Sequence, residues 1–295
     1  MAAILDGKAC AEDIYKSLEE RIAKLKEQGI TPGLGIISFG EESGQVYVKN
    51  KIKACERLGI RCDHAVIPND GMATWETENI IWEFNKCKDI DGYIVQLPIP
   101  DEFGIDADEL LELIKPEKDV DGLTVPNVGM LWSGSEPYHY PCTPKGIMTL
   151  LKHYDIPLEG KKVTIIGRSD LVGKPLAAMM LKENVTVMLC HSYSDLHRSI
   201  GYDTDILISA VGNPNLELEN YVCDWTTIID VGINRVDGKI VGDISELAKY
   251  EFAKAYTPVP GGVGPMTVAM LMDNVVKAAE RRCILNHAYK GYIVI

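Results

Sequence analysis

Tyr47 and Lys51 stand four residues apart in "VYVKNKIKA". On a helix that spacing puts a phenol and an amine on one face, where the amine can trade protons with a bound substrate. The same spacing fits a solvated lysine beside a half-buried tyrosine, and the pattern alone leaves both readings open. A second polar group interrupts the apolar run "DGYIVQLPIP", in which Tyr93, Ile94 and Val95 read as a strand buried on both faces and Pro98 cannot extend its ladder. Gln96 therefore falls at the strand's carboxyl end. In open α/β sheets ligands bind beyond those ends, although an amide there can equally satisfy loop backbone. "KDVDGLTVPNVG" adds Asp119 and Asp121, and "TPVPGGVGPMT" adds a glycine-proline loop. Both fit plain turn chemistry, and a glycine loop also lets backbone approach a flat ligand closely.

"VTIIGRSDLVGKPLAAMML" places Gly167 at the end of a strand and Gly173-Lys174-Pro175 at the start of a helix, a geometry that suits docking a phosphate at a helix N-terminus. It is neither standard motif. Five residues separate Gly167 from Gly173 and proline follows the lysine, whereas a Walker A loop needs four and then Ser or Thr, and G-x-G-x-x-G is absent. A glycine turn used only for packing fits as well. The next strand, "VTVMLC", ends in His191-Ser192 rather than in a carboxylate that would bind a ribose 2′-hydroxyl, and Arg168 lies in the turn. A carboxylate repels a 2′-phosphate, while a hydroxyl and a guanidinium bind it, so this site favours NADP over NAD. By spacing alone, His191 and Ser192 simply ending a strand is an equal reading. Tyr-x-x-x-Lys also occurs in short-chain dehydrogenases, but downstream of the nucleotide turn; here it lies upstream, so chain order breaks that analogy.

The elements that carry these residues alternate. Ile14, Leu18, Ile22 and Leu25 mark an amphipathic helix between Asp6 and Gln28, stopped by Gly29. A strand at "LGIISF", a helix over 46–58, a strand at "CDHAVI", a helix over 74–85 and the strand ending in Gln96 follow. This is the pattern of a parallel sheet covered by helices. A helix at "IDADELLELI" precedes an irregular stretch over 115–144, of the kind that is functional or crosses between domains. Thr143-Pro144 reads as an N-cap with proline in the first turn, opening a helix through Leu151. The strands "KKVTIIG", "VTVMLC", "DILISAVG" and "TIIDVG" then form a second βα series, and "GPMTVAMLMDNVVKAAERR" closes it with a long helix.

Composition sets outer bounds. The 295 residues suffice for two domains, and 46% hydrophobic with 25% charged content suits a soluble globular enzyme. No apolar run reaches the roughly 20 residues of a membrane helix, and the amino terminus has no secretory pattern, so a cytoplasmic location is expected. Eight cysteines are scattered without a Cys-x-x-Cys pair or metal-ligand spacing, so neither zinc nor a disulfide framework is expected. A formal net charge of -13 disfavours nucleic acid and anionic membranes as partners.

Taken in order, "YVKNKIKACERLGI", "DGYIVQLPIP", "KDVDGLTVPNVG", "YPCTPKGI", "GRSDLVGKPLA", "DILISAVGNP", "IIDVGIN" and "TPVPGGVGPMTVAML" resemble the bifunctional methylenetetrahydrofolate dehydrogenase/cyclohydrolase family across nearly the whole chain. The resemblance implies an α/β protein of two domains: a folate-binding catalytic domain over 1–141, to which the helix over 266–283 returns, and a Rossmann-like NADP-binding domain over 142–265, with the cleft between them as the active site. It implies a homodimer paired through the nucleotide domain, acting on tetrahydrofolate one-carbon derivatives in one-carbon metabolism and purine biosynthesis. Hydride passes from 5,10-methylenetetrahydrofolate to NADP, and water then opens the methenyl cation to 10-formyltetrahydrofolate. In those terms Lys51 is the acid/base group, Tyr47 stacks on the p-aminobenzoyl ring, Gln96 orients lysine and substrate, and Asp121 binds the pterin. Leu97, Pro98, Pro260, Gly261 and Gly262 also line the substrate. Gly167, Arg168, Ser169, Gly173, Pro175, His191, Ser192, Ala210, Val211, Gly212 and Ile233 take the cofactor, and no metal takes part.

That reading gives Gln96 a purpose. An amine acting as a base near neutrality must shed its proton; desolvation helps and a close carboxylate hinders, so a neutral amide is the better immediate neighbour. The chain departs from the family pattern at four places: Ser43 and Gly44 where the serine normally stands three residues before the tyrosine, an acidic "FGEESG" turn, Tyr193-Ser194 in place of Lys-Thr, and the tail "CILNHAYKGYIVI". Three rival readings remain: a dehydrogenase without hydrolysis, a non-catalytic folate or nucleotide sensor, and an unrelated hydroxy-acid dehydrogenase. Keeping Lys51, Gln96 and Asp121 together argues against a sensor, which needs no base. The QLPIP and TPVPGGVGP segments argue against the hydroxy-acid enzyme.

Overall fold

A computed structural model describes residues 2–40, 45–196, 203–214, 216–246 and 248–291. The departures at Ser43 and Gly44 therefore lie outside the described residues. The chain divides into two compact units, one of Met1–Asp13, Leu131–Ser135 and Pro141–Thr267, the other of Ile14–Met130, Glu136–Tyr140 and Val268–Ile295.

The second unit holds a three-stranded parallel sheet in the order β3-β2-β4, made of β2 (Gly33–Phe39), β3 (Arg61–Ile67) and β4 (Gly92–Val95). Every residue of β2 and β4 is buried, which explains their continuous apolar sequence without alternation. Helix α2 (Gln45–Leu58) follows β2 and α3 (Ala73–Lys86) follows β3, the alternation that joins parallel strands by crossover helices. Ile37, Phe39, Ile67, Ile81, Tyr93 and Val95 form its core. Helix α1 (Gly7–Glu27) begins in the first unit, where the Asp6 carboxylate accepts from the amides of Lys8 and Ala9, and ends before Gly29 in left-handed backbone.

The first unit is built on a six-stranded sheet in the order β1-β11-β8-β7-β5-β6, all neighbours parallel. Its strands are β1 (Ala3–Ile4), β5 (Lys162–Ile166), β6 (Thr186–Cys190), β7 (Ile206–Ser209), β8 (Thr227–Asp230) and β11 (Ala255–Tyr256). Helix α7 (Gly173–Lys182) joins β5 to β6, and an antiparallel hairpin of β9 (Asn234–Val236) and β10 (Lys239–Val241) follows β8. The order β7-β5-β6 puts the β5 and β7 carboxyl ends side by side, where doubly wound sheets bind ligands.

Three local expectations change. The stretch over 115–144 contains α5 (Val125–Trp132); its Pro126 lies in the first turn, where an amide has no intrahelical partner, so it opens the helix instead of breaking it. Helix α6 (Cys142–His153) starts one residue earlier than Thr143 and has no side-chain cap; the Thr143 hydroxyl meets that of Thr267 at 3.0 Å instead. The C-terminal helix runs over Val263–Gly291, beyond the expected stop, with Ile284 and Leu285 exposed. Among the described residues no helix is long and apolar enough to cross a membrane.

Candidate active site

Helix α2 turns Val48, Cys55 and Leu58 inward, and Cys55 meets Met272 of the C-terminal helix at 3.7 Å between sulfurs. That packing fixes the helix's rotation and leaves Tyr47 and Lys51 on its flank. Tyr47 is 46% exposed, enough for a ring to stack on an aromatic ligand, and Lys51 is half-buried. The Lys51 Nζ donates to Gln96 Oε1 at 2.9 Å, while Gln96 Nε2 donates to the Leu97 carbonyl at 2.7 Å. The second bond fixes which end of the amide faces the amine: an oxygen that accepts, uncharged. The Gln96 backbone amide is itself held by the Ile37 carbonyl, so the side chain projects from the anchored end of the sheet. Leu97-Pro98, next in line, is a cis peptide.

Asp119 and Asp121 take different parts. Asp119 is buried and its carboxylate accepts from the amides of Gly122 and Thr124 and from Asn127 Nδ2, all at 2.8 Å, so it ties a turn. The Val120 carbonyl accepts from Asn274 of the C-terminal helix, and the Lys118 carbonyl from the Tyr93 amide of β4. Held on both sides, the turn leaves Asp121 half-buried beside the fixed segment. Asn127 and Asn274 are supports that no helical or strand period singles out.

The glycine turn over 167–173 lies in the first unit. Gly167 has φ of 122° and a Cβ there would sit 2.3 Å from the Ala210 carbonyl oxygen; one on Gly173 would sit 2.0 Å from the Gly167 oxygen. Only glycine permits so close a turn. Pro175 is buried in the first turn of α7, no side chain caps that helix, and Lys174 Nζ is occupied by Asp170 at 2.6 Å. Arg168, Ser169 and Ser192 are exposed, the Ser169 hydroxyl accepting from the Val172 amide. The Arg168 guanidinium lies 6.0 Å from the Tyr193 ring centre, and the centre of the His191 ring lies 6.2 Å from it. Tyr193 thus stands between Arg168 and His191. A cradle that excludes even a methyl group, with a guanidinium and hydroxyls and no carboxylate at the end of β6, fits a phosphorylated dinucleotide.

Ala210, Val211 and Gly212 follow β7, and Ile233 follows β8 with its side chain exposed. Pro260-Gly261-Gly262 belongs to the same unit; the Gly261 carbonyl accepts from the Lys8 amide, and Val259-Pro260 is cis. Sequence reading passed over the acids beneath these loops, Asp230 and Asp243, although Asp230 stands inside the quoted "IIDVGIN". Among the described residues no group of three or more His, Cys, Asp or Glu could hold a metal ion.

Comparison with known proteins bears on both units. Residues 5–121 match the catalytic domain, and residues 141–283 the NAD(P)-binding domain, of tetrahydrofolate dehydrogenase/cyclohydrolase. The chain is 44% identical to the bifunctional protein FolD of Lactobacillus acidophilus over 96% of this chain and 99% of that one. The crystal structure of the bifunctional FolD enzyme from Campylobacter jejuni superposes with a TM-score of 0.90 at 42% identity, covering 96% of this chain and all of that one (100%). The Trypanosoma brucei FolD enzyme, solved with NADP cofactor and inhibitor, gives 0.86 at 34% identity over 95% of this chain and 98% of that one. With both domains matched in order and relatives matched over 96% of the chain, it belongs to the tetrahydrofolate dehydrogenase/cyclohydrolase family.

Proposed function

We infer that this protein oxidises 5,10-methylenetetrahydrofolate with NADP and hydrolyses the methenyl product to 10-formyltetrahydrofolate, with Lys51 as the acid/base. The observation that carries the reading is the 2.9 Å bond from Lys51 Nζ to the neutral oxygen of Gln96. When bound, NADP supplies the hydride acceptor. Tyr47 stacks on the p-aminobenzoyl ring, Asp121 accepts from the pterin's N–H groups, and Leu97 and Pro98 line the substrate. In hydrolysis water adds to the methenyl carbon and Lys51 takes one of its protons; that proton passes to N5 as the C–N5 bond breaks, and the remaining hydroxyl proton is released to solvent as the formyl carbonyl forms. Gln96 holds the amine in line through both transfers without fixing its charge.

A spectrophotometric assay with methylenetetrahydrofolate and each nicotinamide in turn tests the reading, following product before and after acid conversion of formyl to methenyl. Reduction of NADP together with acid-recoverable methenyl is the expected result; NADP reduction without formyl product would instead mark a dehydrogenase alone. Gln96→Glu places a carboxylate against the amine, holds it charged, and is expected to slow hydrolysis by about 10-fold or more and to move its pH optimum upward. An unmoved optimum would mean that Gln96 does not govern the charge of Lys51.

Gly167, Arg168, Ser169, Gly173, Pro175, His191, Ser192, Ala210, Val211, Gly212 and Ile233 form the cofactor site in this reading, with Arg168 and Ser192 at the 2′-phosphate. Arg168→Ala is expected to raise KM for NADP about 10-fold or more, since a charge-assisted bond is lost, while KM for NAD changes far less. Equal effects on both nucleotides would contradict that assignment. The protein is further read as a cytoplasmic homodimer paired through its nucleotide-binding unit, and supplies one-carbon units for purine biosynthesis. Sedimentation at twice the chain mass of 32.6 kDa is the expected result.

A further inference from the structure

Two buried acids that take no part in proton or hydride transfer lie beneath the loops at the ends of β7 and β8. Asp243 is fully buried. Its Oδ2 accepts from Ser209 Oγ at 3.1 Å, from the Val211 amide at 2.9 Å and from the Gly212 amide at 3.3 Å, and its Oδ1 accepts from Asn234 Nδ2 at 2.9 Å. These four donors leave neither carboxylate oxygen without a partner. The Asp243 amide in turn donates to Asp230, which also accepts from the amides of Gly232 and Ile244 and pairs with Lys249. One carboxylate therefore ties the loop after β7 to the loop after β8, and is itself anchored to the sheet.

Nothing about stability alone requires this arrangement at this place. Loop amides at the rim of a sheet are ordinarily satisfied by water, at little cost. Here a charged side chain is sunk completely to hold Val211 and Gly212, and Gly232 is kept free of a Cβ that would lie 2.0 Å from Asp243 Oδ1. A fully satisfied buried network rigidifies what it touches, and the groups it touches are the carboxyl-end loops of a doubly wound sheet.

We propose that Asp243 is a positioning residue for the nicotinamide cofactor: its carboxylate fixes the Val211–Gly212 backbone, and through Asn234 the loop after β8, in the arrangement that receives the dinucleotide. The proposal rests on the reading of those loops as the cofactor site. Full-length Asp243→Asn and Asp243→Ala are compared with the parent in two assays, NADP-dependent oxidation and nucleotide-free hydrolysis of the methenyl compound. Asp243→Asn keeps one acceptor oxygen for the loop amides and is expected to raise KM for NADP about fivefold; Asp243→Ala is expected to raise it about 20-fold or more. The ratio of hydrolysis to oxidation at low NADP rises accordingly in both variants. A KM for NADP within about 1.5-fold of the parent in Asp243→Asn and Asp243→Ala would overturn the proposal, as would a parallel fall of both activities with that KM unmoved. Should Asp243→Ala not fold, Asp243→Asn decides alone by the same KM criterion. A parent enzyme that oxidises nothing with NADP sinks the functional reading and this one together; an active parent with indifferent variants sinks only the role of Asp243.

Discussion

Lys51→Met is expected to lower methenyl hydrolysis by about 10²–10⁴-fold, the range for removing a general acid/base, while NADP binding is expected to persist. Methionine keeps the length and most of the apolar contact of the half-buried lysine stem, so α2 retains its inner face of Val48, Cys55 and Leu58. What is lost is the nitrogen that meets Gln96 at 2.9 Å. In the proposed site the residual rate would come from holding substrate beside Tyr47 and Asp121, which proximity alone supplies.

The two half-reactions separate the roles. Hydride transfer needs chiefly position and no proton from this amine, so oxidation suffers less than hydrolysis wherever Lys51 acts only as a base. Measuring both rates in Lys51→Met, and in Lys51→Arg, which keeps a charge but does not deprotonate, divides electrostatic from proton-transfer contributions. Hydrolysis at the parent rate in Lys51→Met would remove the proposed mechanism. Full recovery in Lys51→Arg would leave Lys51 as a charge only.

The positions most readable in the sequence are those where a periodic pattern is broken by a group with chemistry. Tyr47 and Lys51 stand out because the helical period fixes their common face, and Gln96 because it ends an apolar run just before proline; the bond between Lys51 and Gln96 joins those two signals. Gly167 and Gly173 are legible as a turn, and the distances that a Cβ would violate say why glycine is there. Helix α5 is hidden because Pro126 and Gly129 look like breakers unless the first turn, which tolerates proline, is placed correctly. Strand β1, two residues long, is too short to show a period at all. The hairpin of β9 and β10 carries an Asp237-Gly238 turn with both residues in left-handed backbone, but its strands are three residues each, too short to show an alternation around it. Asp243 and Asp230 are invisible for another reason: most of their partners are backbone amides, which every sequence has, and their side-chain partners Ser209, Asn234 and Lys249 lie at separations no period links.

Lys249→Met is expected to destabilise the protein by about 3–5 kcal/mol, a loss of roughly 6–20 °C in Tm. Lys249 Nζ meets Asp230 Oδ2 at 2.7 Å with both side chains almost wholly out of water, at 2% and 0% exposure. Surface ion pairs contribute little because water screens each partner; a buried charge left without its partner keeps its desolvation cost and loses what offset it. Asp230→Ala is expected to be worse, because it strands the ammonium and also three amides, those of Gly232, Asp243 and Ile244. Asp230→Asn combined with Lys249→Met removes both charges and retains an acceptor for those amides, so it is expected to recover most of the loss of either charge-stranding change. Thermal melts followed by circular dichroism, with the double variant beside each single one, give the comparison directly. A Tm within about 2 °C of the parent in Lys249→Met would mean that the amide donors alone stabilise the Asp230 carboxylate, and the lysine would then be a packed stem with a dispensable charge.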